Sequence, residues 1–105
     1  MAYKGSSTFV IPRPVLYKDG VTAAGITGAG ITLLKTSTSF QIITNATGGT
    51  QDMTLPAAKN GLYFWVKNVA ASTGNVTIKL ASGTLVSTVT PGEIMMVISD
   101  GTNWH

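Results

Sequence analysis

The side chains that acid–base, nucleophilic or metal chemistry draws on are few in this chain and far apart. His105 is the single histidine and the last residue, so a nucleophile–base–orienter triad would hang on a chain end. The carboxylates Asp19, Asp52, Glu93 and Asp100 each stand alone in sequence, and their spacing gives no carboxylate pair of the kind glycoside cleavage uses. Glu93 follows Pro91-Gly92 and Asp100 precedes Gly101, places where a carboxylate bonds the amides of its own turn. With no cysteine there is no thiolate nucleophile, no disulfide and no cysteine-ligated zinc. Gly25, Gly28 and Gly30 begin like a dinucleotide-binding loop, but Leu33 stands where the third glycine would fall and no helix follows to meet a phosphate. The expectation is a protein that is not an enzyme, with no catalytic residue, no cofactor and no metal.

Charge and hydropathy narrow the partners. Seven Lys and Arg against four Asp and Glu give a net charge of +3, but Lys4, Arg13, Lys18, Lys35, Lys59, Lys67 and Lys79 are spread singly. No basic run tracks a phosphate backbone, so nucleic acid is not an expected partner. The longest unbroken apolar run, Ile94 to Ile98, is far short of the roughly 20 residues that span a bilayer, so no membrane is expected either. The first residues lack the apolar stretch of a secretory signal, which leads to an expectation of a chain made in the cytoplasm. Asn45-Ala46-Thr47 and Asn75-Val76-Thr77 match the glycosylation pattern, and without such a signal they carry no functional weight.

What must position any surface is a set of short strands. Helix signals are nearly absent; Ala23-Ala24 and Pro56-Ala57-Ala58-Lys59 offer at most a turn each. Segments rich in Val, Ile, Thr and aromatics predict strands at Thr8 to Ile11, Ile31 to Lys35, Phe40 to Thr44, Asp52 to Leu55, Leu62 to Val69, Val76 to Leu80, Thr84 to Val89 and Glu93 to Ser99. Asn60-Gly61, Gly48-Gly49, Gly74-Asn75 and Ser82-Gly83 supply turns between them. The spacing of about ten residues predicts an all-β fold, a small antiparallel β-sandwich or jelly-roll-like barrel. That unit is expected over residues 39–105. Residues 1–38 read as an extended N-terminal arm and a Gly-rich loop, because Pro12 and Pro14 cannot donate to a ladder and Gly-Ile-Thr repeats too briefly for a solenoid. The near-terminal Trp104 is expected to close the core.

The surface chemistry points to assembly. Hydrophobic residues make up 44 % of the chain and charged residues only 10 %, against a usual charged share of about 25 %. In Leu62 to Val69 one face carries Leu62, Phe64 and Val66 and the other Tyr63, Trp65, Lys67 and Val69, and in Glu93 to Ser99 Ile94, Met96 and Ile98 oppose Met95 and Val97. A strand with water on one side shows polar residues there. The second faces therefore lie either under loops or against other subunits, and Tyr63, Trp65, Met95 and Val97 are the residues expected at a subunit interface.

The ordered pieces Phe40-Gln41-Ile42, Thr54-Leu55-Pro56, Gly61 to Asn68, Gly74 to Ile78, Pro91-Gly92-Glu93 and Ser99 to Trp104 resemble a β domain that recurs in tailed-bacteriophage virion proteins. That domain occurs in tail fibres, tailspikes and small capsid decoration proteins, and the likeness covers residues 40 to 104. It implies a structural virion protein, usually a homotrimer. Because the domain stands nearly alone behind a short arm, the likeness is strongest to a decoration or cement protein that binds the major capsid protein on the outer surface of the capsid and stabilises the head. The arm residues Phe9, Ile11, Pro12, Arg13, Pro14 and Tyr17 are then expected to contact the shell. The alternative is a tail-fibre or receptor-binding module in which Tyr63, Trp65 and Trp104 stack on host-surface carbohydrate.

Overall fold

The structure, a computed structural model, describes residues 20–105, so the strand expected at Thr8 to Ile11 and the arm residues Phe9, Ile11, Pro12, Arg13, Pro14 and Tyr17 lie outside it. The described residues are all-β and contain no helix. Their strands are β1 (Val21–Gly25), β2 (Ile31–Thr32), β3 (Phe40–Thr44), β4 (Gln51–Thr54), β5 (Tyr63–Asn68), β6 (Val76–Lys79), β7 (Leu85–Val89) and β8 (Ile94–Ile98). Two four-stranded sheets result among the described residues, one ordered β1-β3-β5-β8 and the other β2-β4-β6-β7.

Pairing direction is where the expectation fails. β1, β3 and β5 run parallel, as do β2, β4 and β6; only β8 against β5 and β7 against β6 are antiparallel. The ten-residue spacing suggests hairpins because successive strands are assumed to be neighbours. Here each strand up to β6 crosses to the opposite sheet, and the next return to the first sheet is necessarily parallel, with a strand of the other sheet serving as the crossover. The chain thus winds around its own core before the β6–β7 hairpin at Ser82-Gly83 and the return of β8 end the winding.

The sheets also begin earlier than residue 39. β2 falls at the start of the strand expected at Ile31 to Lys35 and β1 adds one that was not expected, both inside the span read as arm and loop, and Ile26 and Leu33 beside them are buried. Val-Thr-Ala-Ala-Gly is a weak strand former by itself; its register against β3, Val21 to Phe40 through Gly25 to Thr44, fixes it.

Alternation along the strands builds the core. Ile43, Met53, Phe64, Val66, Ile78 and Val89 are fully buried between the sheets. Gly61, at a φ of 85°, turns the chain into β5 as the Asn-Gly pair predicts. Trp104 closes one end. Its indole stacks on Phe64 with centroids 6.0 Å apart, and its Nε1 donates to the Pro56 carbonyl at 3.1 Å. Backbone bonds between His105 and Ile98 in both directions hold the terminal segment along β8.

Candidate interaction face

The titratable groups serve turns and a surface pair. Glu93 Oε1 accepts from the Thr90 amide at 2.9 Å, and the Asp52 carboxylate accepts from Thr77 Oγ1 and pairs with Lys79 at 3.2 Å. Asp100 accepts from the amides of Asn103 and Thr102 at 2.7 and 2.8 Å and from the His105 ring at 2.9 Å. Among the described residues no three His, Cys, Asp or Glu side chains converge as metal ligands would.

These bonds hold the Asp100 carboxyl well below its ordinary value, the Asn103 amide first, then His105 and the Thr102 amide. A depressed folded-state value contributes stability that is complete above the ordinary carboxylate range and is lost as pH falls through the folded value. Stability is therefore expected to drop on acidification below about pH 4, and Asp100→Asn should flatten that acid limb by lowering stability at neutral pH while leaving the acid end nearly unchanged. Urea midpoints between pH 2 and 7 check this; parallel acid limbs in the two proteins would remove Asp100 from the linkage.

The two outer faces differ in chemistry. On the β2-β4-β6-β7 sheet, Asp52, Thr77 and Thr88 lie in one row across β4, β6 and β7, and Thr54 lies beside Lys79. That face is polar and suited to water apart from Leu85, which is paired with Lys79 and exposed. On the β1-β3-β5-β8 sheet the register sets Val21, Phe40, Trp65 and Met96 in one row, with Ala23, Ile42, Lys67 and Ile94 in the next. Val21, Trp65, Ile94, Met96 and Ile98 are each between 37 and 60 % exposed. A shallow apolar groove of about 290 Å³ runs over β3, with Val21, Ile42, Trp65 and Ile94 among its walls. Lys67 is the one charged side chain in these two rows.

The expected interface residues divide between inside and outside. Trp65 and Tyr63 lie on the outer face, with Trp65 38 % exposed. Met95 and Val97 do not: the antiparallel register places Met95 opposite Val66 and Val97 opposite Phe64, both inward, so Val97 is buried at 1 % and Met95 packs on the core. The outward residues of β8 are Ile94, Met96 and Ile98. A strand apolar on both sides carries no signal of its own phase; the register against Phe64 decides it.

No family model, curated protein or solved structure matches this chain. The geometry must therefore carry the reading. Trp65 and Trp104 do not form a common platform, since Trp104 packs against the inward-facing Phe64 while its neighbour Trp65 points outward. Asn45, the first residue of a glycosylation triplet, is buried; its Nδ2 donates to the carbonyls of Gly49 and Asn75, both at 2.8 Å. The position is structural.

Proposed function

We propose that this chain is a structural assembly protein that decorates the outside of a bacteriophage capsid and stabilises the head. The observation that carries the reading is the apolar outer face around Trp65, opposite a sheet whose outer face is polar. Contiguous apolar surface of this size marks contact with other protein. The order of motifs from residue 40 to 104, which resembles the virion β domain, supplies the kind of assembly. In this reading the chain joins copies of itself, as a homotrimer by the same resemblance, and its arm residues Phe9, Ile11 and Tyr17 meet the major capsid protein. A protein that binds the assembled shell and not its free subunits stabilises the shell by mass action, summed over many sites.

The test is the copy number of the chain per purified particle, measured by quantitative mass spectrometry against the major capsid protein. Hundreds of copies are expected. A handful would assign the chain to a fibre, tail or neck and overturn the decoration reading.

A further inference from the structure

The Asn60-Gly61 pair that turns the chain into β5 is also a reactive dipeptide. In such a pair the backbone nitrogen of the glycine is the nucleophile and the asparagine side-chain carbonyl its target, and no Cβ on the glycine obstructs the approach. Asn60 is exposed, and its side-chain amide makes no hydrogen bond among the described residues. The other asparagines are protected by different means. Asn45 and Asn68 are buried, with the amide nitrogen of each donating to two carbonyls. Asn75 and Asn103 precede Val76 and Trp104, whose bulk crowds the attacking nitrogen.

What restrains Asn60 is its turn and the segment laid over it. The Leu62 amide donates to the Lys59 carbonyl at 3.0 Å with Gly61 at a φ of 85°, the pattern of a type II turn. The Gly61 amide, the nucleophile, donates to the Ser99 carbonyl at 3.0 Å. Ser99 is fastened in turn. Its amide donates to the Leu62 carbonyl at 2.8 Å, its Oγ accepts from the Gly101 amide at 3.1 Å, and its backbone bridges Trp104. Gly101 lies so close that a Cβ built on it would fall 3.3 Å from the Asn60 Cβ.

We infer that Asn60 is a site of spontaneous deamidation gated by residues 99–105. When that segment lifts, the Gly61 nitrogen gives its proton to solvent hydroxide and bonds to Asn60 Cγ. The bond from Cγ to the side-chain nitrogen breaks, that nitrogen leaves as ammonia with a proton from water, and a succinimide ring remains. Water then opens the ring at one carbonyl to give aspartate, or at the other to give isoaspartate. The product acts back on the gate. Isoaspartate lengthens the backbone just ahead of β5, so Gly61 loses its register with Ser99, and either product sets a carboxylate against Gly101, next to Asp100.

Incubation in mildly alkaline buffer, followed by peptide mapping, reads the change from amide to acid residue by residue. In concentrated urea Asn60 should react first among the asparagines. The folded wild type should also react at Asn60, but at least about tenfold more slowly, since the pair is freed only by local opening. Asp100→Ala removes the acceptor of the Thr102 and Asn103 amides and of the His105 ring, so it should raise the folded rate several-fold while circular dichroism shows the fold retained. Asn60→Gln should abolish the reaction at this position, because its closure needs a larger ring. Equal rates in buffer and in urea would overturn the inference. So would reaction at Asn75 or Asn103 ahead of Asn60, or a folded Asp100→Ala protein that reacts no faster than the wild type.

Discussion

Phe64→Ala is expected to cost about 3–5 kcal/mol, the range for emptying a fully buried aromatic site. Phe64 is 0 % exposed, is the second residue of β5, and faces the opposite sheet with Val66 and Ile78 around the same interior. Its ring also carries the Trp104 indole, stacked at 26° between planes, so truncation removes an aromatic pair worth about 0.5–1.5 kcal/mol beyond its area. Trp104 cannot follow the cavity inward without giving up its bond to the Pro56 carbonyl. Against a total stability of about 5–15 kcal/mol for a domain of this kind, the loss is a large fraction. The melting temperature should fall by at least about 12 °C. Urea unfolding in a Trp65→Phe background, where Trp104 is the remaining tryptophan, should show a lower midpoint at an unchanged slope. A loss under about 1 kcal/mol would mean the site collapses and that β5 is not the keystone of the core.

The consequence reaches the surface because β5 carries both roles. Phe64 and Val66 point inward and Trp65 points outward from the same strand. The order of the apolar outer face therefore depends on the packing inside it. In the proposed assembly a Phe64→Ala protein should associate more weakly at temperatures where it is still folded, since Trp65 and its neighbour Met96 lose the backing that fixes their height.

How much was legible in the sequence follows from what each signal encodes. Six of the predicted strands, from Phe40 to Thr44 through Glu93 to Ser99, fall within a residue or two of β3 to β8, because period-two alternation and Gly or Asn turns are local signals. Glu93 and Asp100 occupy the turn positions that their neighbours Gly92 and Gly101 imply. Pairing direction was not legible. Whether Phe40 to Thr44 lies beside the next strand or across from it depends on which sheet receives that next strand, a property of the whole chain. The phase of β8 was hidden for a related reason: Ile94 to Ile98 is apolar at every position, so only the register opposite Phe64 and Val66 could assign Met95 and Val97 to the core and Met96 to the outside. β1 was missed because Ala23, Ala24 and Gly25 are poor strand formers, held by β3 rather than by their own preference. An exposed apolar face, by contrast, announced itself in composition, through the scarcity of charge.

Gly74→Ala is expected to be nearly as damaging as the loss of Phe64, for a reason of contact and not of backbone conformation. A Cβ built at Gly74 falls 2.1 Å from the Gly49 carbonyl oxygen and 2.8 Å from Asn45 Nδ2. Neither neighbour is free to yield. Asn45 is buried and binds the Gly49 and Asn75 carbonyls, and its Oδ1 accepts from the Thr47 amide at 3.0 Å. Gly74 is fastened as well, since its own carbonyl accepts from Asn68 Nδ2 at 3.0 Å. The methyl must therefore push two loops apart and break the Asn45–Gly49 bond. Overpacking of this kind costs about 1–3 kcal/mol, and each buried bond left unmade adds about 1–3 kcal/mol. The expected total is about 3–5 kcal/mol. Two neighbouring glycines separate the causes. Gly49→Ala meets nothing within 4 Å and carries no positive φ, so it should stay within about 0.5 kcal/mol of the wild type. Gly48→Ala also has open space but sits at a φ of 78°, so it should lose about 1 kcal/mol from conformation alone. Denaturant midpoints of the three variants should rank Gly49→Ala, Gly48→Ala and Gly74→Ala in order of rising damage. A Gly74→Ala protein as stable as the Gly49 variant would show that the Asn45 network opens without cost, and the β3–β4 and β5–β6 loops would then be held by something other than these bonds.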